Sequence, residues 1–313
     1  MKIVSSGMIR FRFFYPLLCL AGLWLTTGTA FSQVKVLRVS PPATGAAIET
    51  VHGPHIALYD PHTSSRHRLI LMIVGTGASA EGIRPFDSCF AAMGYHVVSL
   101  DYKNNVITTT CSNSRDSGCF DHFREEIVTG TPVSEVVQVD TVNSLFHRFQ
   151  QLLAYLAKED PQGGWQEFVR PDGQPRWERI ITAGHSQGAG HAAWLGKRFR
   201  VDRVLMFSGP QDYLNPYHMP AGWQSGSSAT PPSRFFAFLH RKDPFDVTHQ
   251  LANCSRLMET RRPDTLAVQP GRPVRGRQHI LITDIPTKNP HGSTLNPVFV
   301  PVWQYMLTAR GRR

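Results

Sequence analysis

Residues 179–195 join an apolar run to a helical run with only a short turn between them. Residues 179–183 predict a buried strand, Gly-His-Ser-Gln-Gly at 184–188 predicts the turn, and the residues that follow continue as a helix. A serine at so sharp a turn has a strained backbone, and its neighbours must lack bulk because the strand and the helix nearly touch there. The glycines that meet this requirement are Gly184, Gly188 and Gly190. The segment therefore predicts an α/β unit that presents the Ser186 hydroxyl above the edge of a sheet.

The rest of the chain alternates short β-rich runs with helical runs and has no internal repeat. Several runs are apolar throughout, as strands buried on both faces are. Further helices are predicted at residues 85–93, 138–157 and 298–307. Strands are predicted at residues 34–39, 55–60, 69–74, 95–101, 179–183, 202–208, 234–239 and 279–283. This order predicts an α/β fold with a mostly parallel central sheet of about eight strands, flanked by helices.

Three long stretches between these elements are polar and rich in glycine and proline: residues 102–136, 211–233 and 255–278. Loops of that length are uncommon in a compact domain and often form lids or the walls of binding sites. We expect this role for 102–136 and 211–233. With 313 residues, of which 41% are hydrophobic, the chain is long enough for a single α/β domain, which we place at residues 33–313.

The first 32 residues carry the pattern of a secretory signal peptide. Three basic residues precede an apolar run from Phe13 to Leu25, and the small-residue pattern at 30–32 fits cleavage before Gln33. An apolar run of this length is shorter than the roughly 20 residues that cross a bilayer, so we expect no stable membrane insertion. An uncleaved N-terminal anchor is the alternative. We therefore expect a protein that is secreted or periplasmic after cleavage.

Four cysteines follow the predicted signal peptide: Cys89, Cys111, Cys119 and Cys254. Cys111 and Cys119 flank a polar, flexible loop, so in an oxidising compartment we expect them to form a disulfide. The sequence does not choose between pairing and free thiols for Cys89 and Cys254.

The net charge is +10, and it falls to +7 when residues 1–32, which hold three basic and no acidic residues, are removed. Apart from three short clusters, the basic residues are scattered along the chain. Scattered charge indicates a solvated surface, so we expect no nucleic-acid partner.

The turn at 184–188 resembles the nucleophile turn of the α/β-hydrolase superfamily, and its Gly-His-Ser-Gln-Gly form is similar to that of secreted bacterial serine esterases and lipases. The resemblance covers most of the chain after the signal peptide, in the order of its elements. It implies that Ser186 is the nucleophile, that an acid follows the sixth or seventh strand, and that a histidine follows the last strand.

The resemblance implies Asp243 as the acid, because this residue lies in the turn after the strand 234–239, at the carboxyl end of that strand. The acid accepts a hydrogen bond from Nδ1 of the catalytic histidine and fixes its tautomer. Asp246 and Asp212 are the alternatives. The resemblance also implies His291 as the catalytic histidine, because it lies in the loop after the last strand.

An oxyanion hole needs two backbone N–H groups directed at the oxygen that becomes negative when serine attacks a carbonyl. The resemblance implies Gln187 as one donor and the loop after the strand 69–74 as the source of the other. We choose Thr76, with Gly77 as the alternative. The loop begins with Val-Gly, where the family usually has His-Gly, and it lacks the Gly-Lys-Ser/Thr of a phosphate-binding loop.

No cofactor and no metal ion is predicted. The sequence contains neither His-Glu-x-x-His nor Cys-x-x-Cys, and the spacing of His52, His55, His62 and His67 is not that of zinc ligands. A serine in place of an aspartate at the turn also disfavours dehalogenase and epoxide-hydrolase chemistry.

We therefore expect a serine esterase that cleaves carboxylic esters, with a small-molecule or polymeric ester as substrate. The same residues would serve acyl transfer to an alcohol or sugar, or cleavage of a thioester or amide. A hydrolase-like binding protein without turnover is the alternative from another class. Aromatic residues in the stretch 211–233 predict an apolar or carbohydrate-facing wall: Tyr213, Tyr217 and Trp223.

Overall fold

The computed structural model describes residues 34–309, so the predicted signal peptide at 1–32 lies outside the described residues. The strands are β1 (Lys35–Val39), β2 (His55–Tyr59), β3 (Leu69–Ile73), β4 (His96–Ser99), β5 (Ile180–His185), β6 (Arg203–Phe207), β7 (Tyr213–Leu214), β8 (Met219–Pro220), β9 (Phe235–His240), β10 (Thr265–Ala267) and β11 (Ile280–Thr283). Within the described range, β7 and β8 form a small hairpin and the other strands form one nine-stranded sheet.

The central sheet has the strand order β1-β2-β4-β3-β5-β6-β9-β11-β10. The pairs β1–β2 and β2–β4 are antiparallel, and the other neighbours are parallel. The predicted α/β fold class with a mostly parallel sheet is confirmed, and all eight predicted strands belong to the sheet. The ninth strand, β10, lies in the stretch 255–278 that was predicted to be a loop. Its three residues lie at the sheet edge, two of them partly buried and Ala267 exposed, and they are too few for a recognisable apolar run.

The helices are α1 (Pro41–Thr44), α2 (Arg84–Ala92), α3 (Cys119–Thr129), α4 (Leu145–Glu159), α5 (Gln187–Arg198), α6 (Val247–Leu257) and α7 (Val300–Thr308). One core cluster unites α3, α4, α5 and α6 with one face of the sheet, and a second unites α2 and α7 with the other face. Because side chains alternate along a strand, β3 contributes Leu71 to the first cluster and Met72 to the second. The sheet is therefore covered by helices on both faces.

The stretch 102–136 was predicted to be a long loop, and this prediction is wrong because the stretch contains α3. Phe120, Phe123 and Ile127 lie at spacings of three and four residues and are buried in the core. The helix ends at Gly130, whose φ of 77° is the left-handed conformation that glycine adopts without strain. Three apolar anchors among many polar residues are enough for a helix that packs on the sheet.

The helix predicted at 138–157 begins seven residues later than expected, at the start of α4. Ser144 caps it by accepting a hydrogen bond from the His147 N–H. Before Ser144, backbone N–H groups donate to side-chain carboxylates and not to helical carbonyl groups. The Val139 N–H donates to Glu126 Oε1 at 3.0 Å, and the Asn143 N–H donates to Asp140 Oδ1 at 2.8 Å. These side-chain acceptors compete with helical hydrogen bonds and delay the start of the helix.

The predicted disulfide between Cys111 and Cys119 is confirmed, with 5.5 Å between the two Cα atoms. Cys89 and Cys254 are free thiols, and Cys254 is buried. The loop closed by the disulfide contacts the β7–β8 hairpin, because the Asn215 N–H donates to the Ser112 carbonyl at 2.9 Å. The stretches 102–136 and 211–233 are thus connected by hydrogen bonds. Among residues 34–309, no helix combines the length and hydropathy needed to cross a bilayer.

Candidate active site

Ser186 lies at the junction of β5 and α5 with φ 58° and ψ −122°, a conformation that non-glycine residues rarely adopt. The glycines around it permit the close contact of strand and helix. A Cβ atom on Gly188 would lie 2.0 Å from the Ile73 carbonyl oxygen, and one on Gly184 would lie 2.1 Å from the Gly188 carbonyl oxygen. The predicted requirement for small residues at this turn therefore has a direct steric cause. The Ser186 side chain is held at the carboxyl edge of the sheet and is 8% exposed.

The predicted site residues meet at this edge because the carboxyl ends of neighbouring parallel strands lie side by side. Thr76 follows β3, Asp243 follows β9 and His291 lies in the loop after β11. The loop after β3 touches the nucleophile candidate directly, since a Cβ atom on Gly75 would lie 3.0 Å from Ser186 Cβ.

His291 and Asp243 are hydrogen-bonded to each other. The His291 Nδ1–H faces both carboxylate oxygens of Asp243, at 2.9 Å from Oδ2 and 3.1 Å from Oδ1. Burial acts to raise the pKa of the Asp243 carboxyl, but the hydrogen bond and the charge of His291 outweigh it, so this pKa is lowered from its usual value. The carboxylate is therefore ionised at neutral pH and can fix the tautomer in which His291 Nε2 accepts a proton.

The two alternative acids have other partners. Asp246 caps α6, where its Oδ1 accepts from the Thr248 N–H at 2.8 Å. Asp212 is buried and forms an ion pair with Arg124. Neither is hydrogen-bonded to His291, so the geometry favours Asp243.

Two side chains hold the main chain of His291. The His185 Nε2–H donates to the His291 carbonyl at 3.0 Å, and the Ser208 hydroxyl donates to the same oxygen at 2.6 Å. Burial, with a smaller effect of the His291 charge, lowers the pKa of His185 to about 4, so this ring is neutral at neutral pH. The His291 ring also contacts the His185 and Phe245 rings, with centroid distances of 4.8 and 4.6 Å. His185 therefore supports the catalytic histidine candidate and does not compete with it for the role.

The Ser186 hydroxyl accepts a hydrogen bond from Gln211 Nε2 at 3.2 Å. Within the described residues, no hydrogen bond joins Ser186 to the His291 ring, although both lie at the same edge of the sheet. In many enzymes the hydrogen bonds used in catalysis tighten only when substrate binds.

The loop that carries Thr76 is fixed by Asn104. The Asn104 Nδ2 donates to the carbonyls of Gly75 at 2.7 Å and Ala78 at 3.0 Å, and the Asn104 carbonyl accepts from the Gly77 N–H at 3.1 Å. Because the Gly77 N–H already donates to Asn104, the Thr76 N–H is the better candidate for the second oxyanion donor. The Thr76 hydroxyl donates to Gln187 Oε1 at 2.5 Å, so the side chains of the two candidate donor residues are joined.

The residues predicted from the sequence did not include Gln211, Ser208, Asn104 or Arg124. A signal for the first two was present, since both follow β6, which is the neighbour of β5 in the sheet. Asn104 likewise follows β4, next to β3. No local motif marks Arg124, because its contacts join segments that are distant in sequence.

Among the residues that the structure describes, no group of three or more His, Cys, Asp or Glu side chains could hold a metal ion. Neither a protein-family model nor a curated protein matches the chain. Among solved structures, the chain is similar to the crystal structure of TT1662 from Thermus thermophilus, with a TM-score of 0.45 and 17% sequence identity over 88% of this chain and 97% of that chain.

Proposed function

We propose that the chain is a serine hydrolase that cleaves carboxylic esters through an acyl-enzyme. One observation carries the proposal: a serine on a strained turn between β5 and α5 lies at the same sheet edge as a hydrogen-bonded His291–Asp243 pair. A nucleophile, a base and a group that orients the base are the parts that acyl transfer requires.

In the proposed mechanism, the Ser186 hydroxyl leaves Gln211, turns toward His291 and attacks the ester carbonyl carbon. His291 Nε2 takes the serine proton and then gives it to the departing alcohol, while Asp243 stabilises the imidazolium. The N–H groups of Gln187 and Thr76 bind the oxygen that becomes negative, and the start of α5 adds the favourable field of a helix N-terminus. A water molecule, activated by His291, then cleaves the acyl-enzyme.

The test is a panel of p-nitrophenyl esters of increasing chain length, acetylated sugars and polyester film, together with labelling by a fluorophosphonate. We expect hydrolysis of at least one ester class and stoichiometric labelling at Ser186. The order of rates separates a short-acyl esterase from a lipase, a polysaccharide esterase or a polymer hydrolase. A folded chain that cleaves none of these and resists labelling would instead be a non-catalytic binding protein.

We also propose that the protein is exported, by a signal peptide at residues 1–32. The disulfide between Cys111 and Cys119 supports this proposal, because disulfides persist in oxidising compartments. N-terminal sequencing of the protein recovered from the periplasm or medium is the test, and we expect the chain to begin at Gln33. Recovery of the full-length chain only from the cytoplasm would contradict export.

A further inference from the structure

The Arg124 side chain is fully buried, and its guanidinium binds two segments that adjoin Ser186. Its Nε donates to Asp212 Oδ2 at 2.8 Å and its Nη2 donates to Asp212 Oδ1 at 2.6 Å, which makes a bidentate ion pair. Its Nη1 donates to the Gln187 carbonyl at 2.7 Å. One side chain on α3 thus joins the first residue of α5 to the segment after β6.

The protein is shaped around this contact. A Cβ atom on Gly190 would lie 2.2 Å from Arg124 Nη2, so only glycine at this position of α5 lets the guanidinium approach. Asp212 receives a further hydrogen bond from Trp223 Nε1 at 2.8 Å, which holds the carboxylate in place. A buried charge pair is costly unless its hydrogen bonds are satisfied, and these partners satisfy it.

Both residues held by Arg124 lie next to groups that act on Ser186. Gln187 carries the N–H of the proposed oxyanion hole, and Gln211, which precedes Asp212, donates to the Ser186 hydroxyl. A positive charge is unfavourable at the N-terminus of a helix, but Asp212 neutralises the guanidinium. The pair therefore acts on the site through geometry and not through net charge.

We propose that Arg124 is a positioning residue that, together with Asp212, fixes the oxyanion donor Gln187 and the Gln211 amide relative to Ser186. The inference rests on the proposed function, since it concerns the rate at which Ser186 is acylated. Bidentate and tridentate recognition needs the planar fork of arginine, and a lysine in its place keeps the charge but loses this geometry.

The test compares Arg124→Lys with Arg148→Lys. Arg148 is a matched control because it is also fully buried, multiply hydrogen-bonded and ion-paired, but its partners are Asn143 and Asp101. Three quantities are measured for each: kcat and KM on p-nitrophenyl acetate, the second-order rate constant for labelling by a fluorophosphonate, and the melting temperature.

For Arg124→Lys we expect kcat and the labelling rate constant to fall at least tenfold while KM changes less than about threefold. Complete removal of one oxyanion donor lowers kcat by roughly 10² to 10³, so a misdirected donor should cost less. For Arg148→Lys we expect kcat and the labelling rate constant to stay within twofold of the parent values, even if its melting temperature falls as much as that of Arg124→Lys. Asp212→Asn, which changes the partner of Arg124, should lower kcat as Arg124→Lys does and leave the pH profile of kcat/KM unchanged.

A folded Arg124→Lys variant that is labelled within twofold of the parent rate would overturn the inference, as would an equal loss of rate in Arg148→Lys. If Arg124→Lys melts below the assay temperature, Asp212→Asn and the parent are compared at a lower temperature, where both are folded. An unchanged kcat of Asp212→Asn there overturns the inference. A parent chain that the fluorophosphonate does not label would overturn the proposed function itself, and with it the inference.

Discussion

The Ser186 backbone conformation costs about 1 to 3 kcal/mol relative to an ordinary one, and the surrounding packing must sustain it. That packing consists of main-chain contacts made possible by glycine, at Gly184 and Gly188. The serine hydroxyl itself contributes one hydrogen bond, from Gln211, and fills little space. The geometry of the turn is therefore independent of the oxygen that the proposed chemistry uses.

This independence gives the first prediction. Ser186→Ala should keep the fold and its melting temperature within a few degrees, and it should abolish ester hydrolysis and fluorophosphonate labelling. Circular dichroism checks the fold, and the p-nitrophenyl ester assay checks turnover. If the folded variant hydrolyses esters at the parent rate, Ser186 is not the nucleophile.

The second prediction concerns the acid. Asp243→Asn should lower kcat by roughly 10³ to 10⁴, because an amide at this position can stabilise the wrong tautomer of His291. Asp246→Asn is the matched control, since it removes a charge three residues away whose partners are the first N–H groups of α6. The control should lose at most about 1 kcal/mol of stability and keep its kcat. A larger loss of kcat in the control would transfer the role of the acid to Asp246.

At the scale of single elements, α2 carries a buried carboxyl group against β4. Asp87 is fully buried and accepts one hydrogen bond, from the Ser99 hydroxyl at 2.6 Å. Burial raises the pKa of Asp87 to about 8, although the Ser99 hydrogen bond acts in the opposite direction. The folded protein therefore keeps this group protonated in a pH range where the unfolded chain releases the proton.

The third prediction follows from this difference. Between the unfolded-state pKa of about 4 and the folded-state pKa of about 8, the folded state binds more protons, so stability falls as pH rises, by up to about 1.4 kcal/mol per pH unit. Asp87→Asn should remove this contribution and flatten the curve, as urea unfolding at pH 5 and pH 8 would measure. Asp172→Asn, at an exposed position, should keep the parent curve. An equal slope in the parent and Asp87→Asn would show that Asp87 is not the titrating group.

The elements that the sequence predicted well have long apolar or strictly periodic runs. The strand before Ser186 and the helix after it are of this kind, because burial on both sides leaves few polar positions. The helices α3 and α6 and the strand β10 were missed. The helix α3 begins at the end of a polar, disulfide-closed loop, and the buried face of α6 is mostly polar. The strand β10 has only three residues, none of them fully buried. The start of α4 was placed too early, since the Val139 N–H donates its hydrogen bond to Glu126, an acceptor on another helix. Such long-range acceptors leave no local pattern.

For the whole molecule, the order of the strands determines which distant residues share the site. The position of a residue after a strand could be predicted from the sequence, and Asp243 and His291 lie in contact as the resemblance implied. Asn104, Ser208 and Gln211, which hold other parts of the site, also follow strands, but choosing them among all such residues requires knowledge of the strand order. The same reason applies to Arg124, which belongs to α3, a helix that was not predicted from the sequence.

The last prediction concerns the disulfide, which joins the start of α3 to the loop before it. Closing a ring of this size should contribute about 2 to 3 kcal/mol by the loop-entropy model. Reduction should therefore loosen the stretch 102–136, and with it the β7–β8 hairpin, whose Asn215 is hydrogen-bonded to the closed loop. The central sheet has its own packed core and should stay folded.

Hydrogen exchange followed by mass spectrometry can resolve this difference by segment. In the Cys111→Ser/Cys119→Ser variant, peptides from 102–136 and from the hairpin should exchange faster than in the parent, while peptides from β3 and β5 should be unchanged. Cys89→Ser is the control, because this cysteine is a free thiol and its replacement breaks no cross-link. Since Arg124 lies five residues after Cys119, the variant should also acylate Ser186 more slowly. Uniform acceleration of exchange in all segments would mean that the disulfide stabilises the whole domain, and unchanged exchange in 102–136 would mean that packing alone holds this segment.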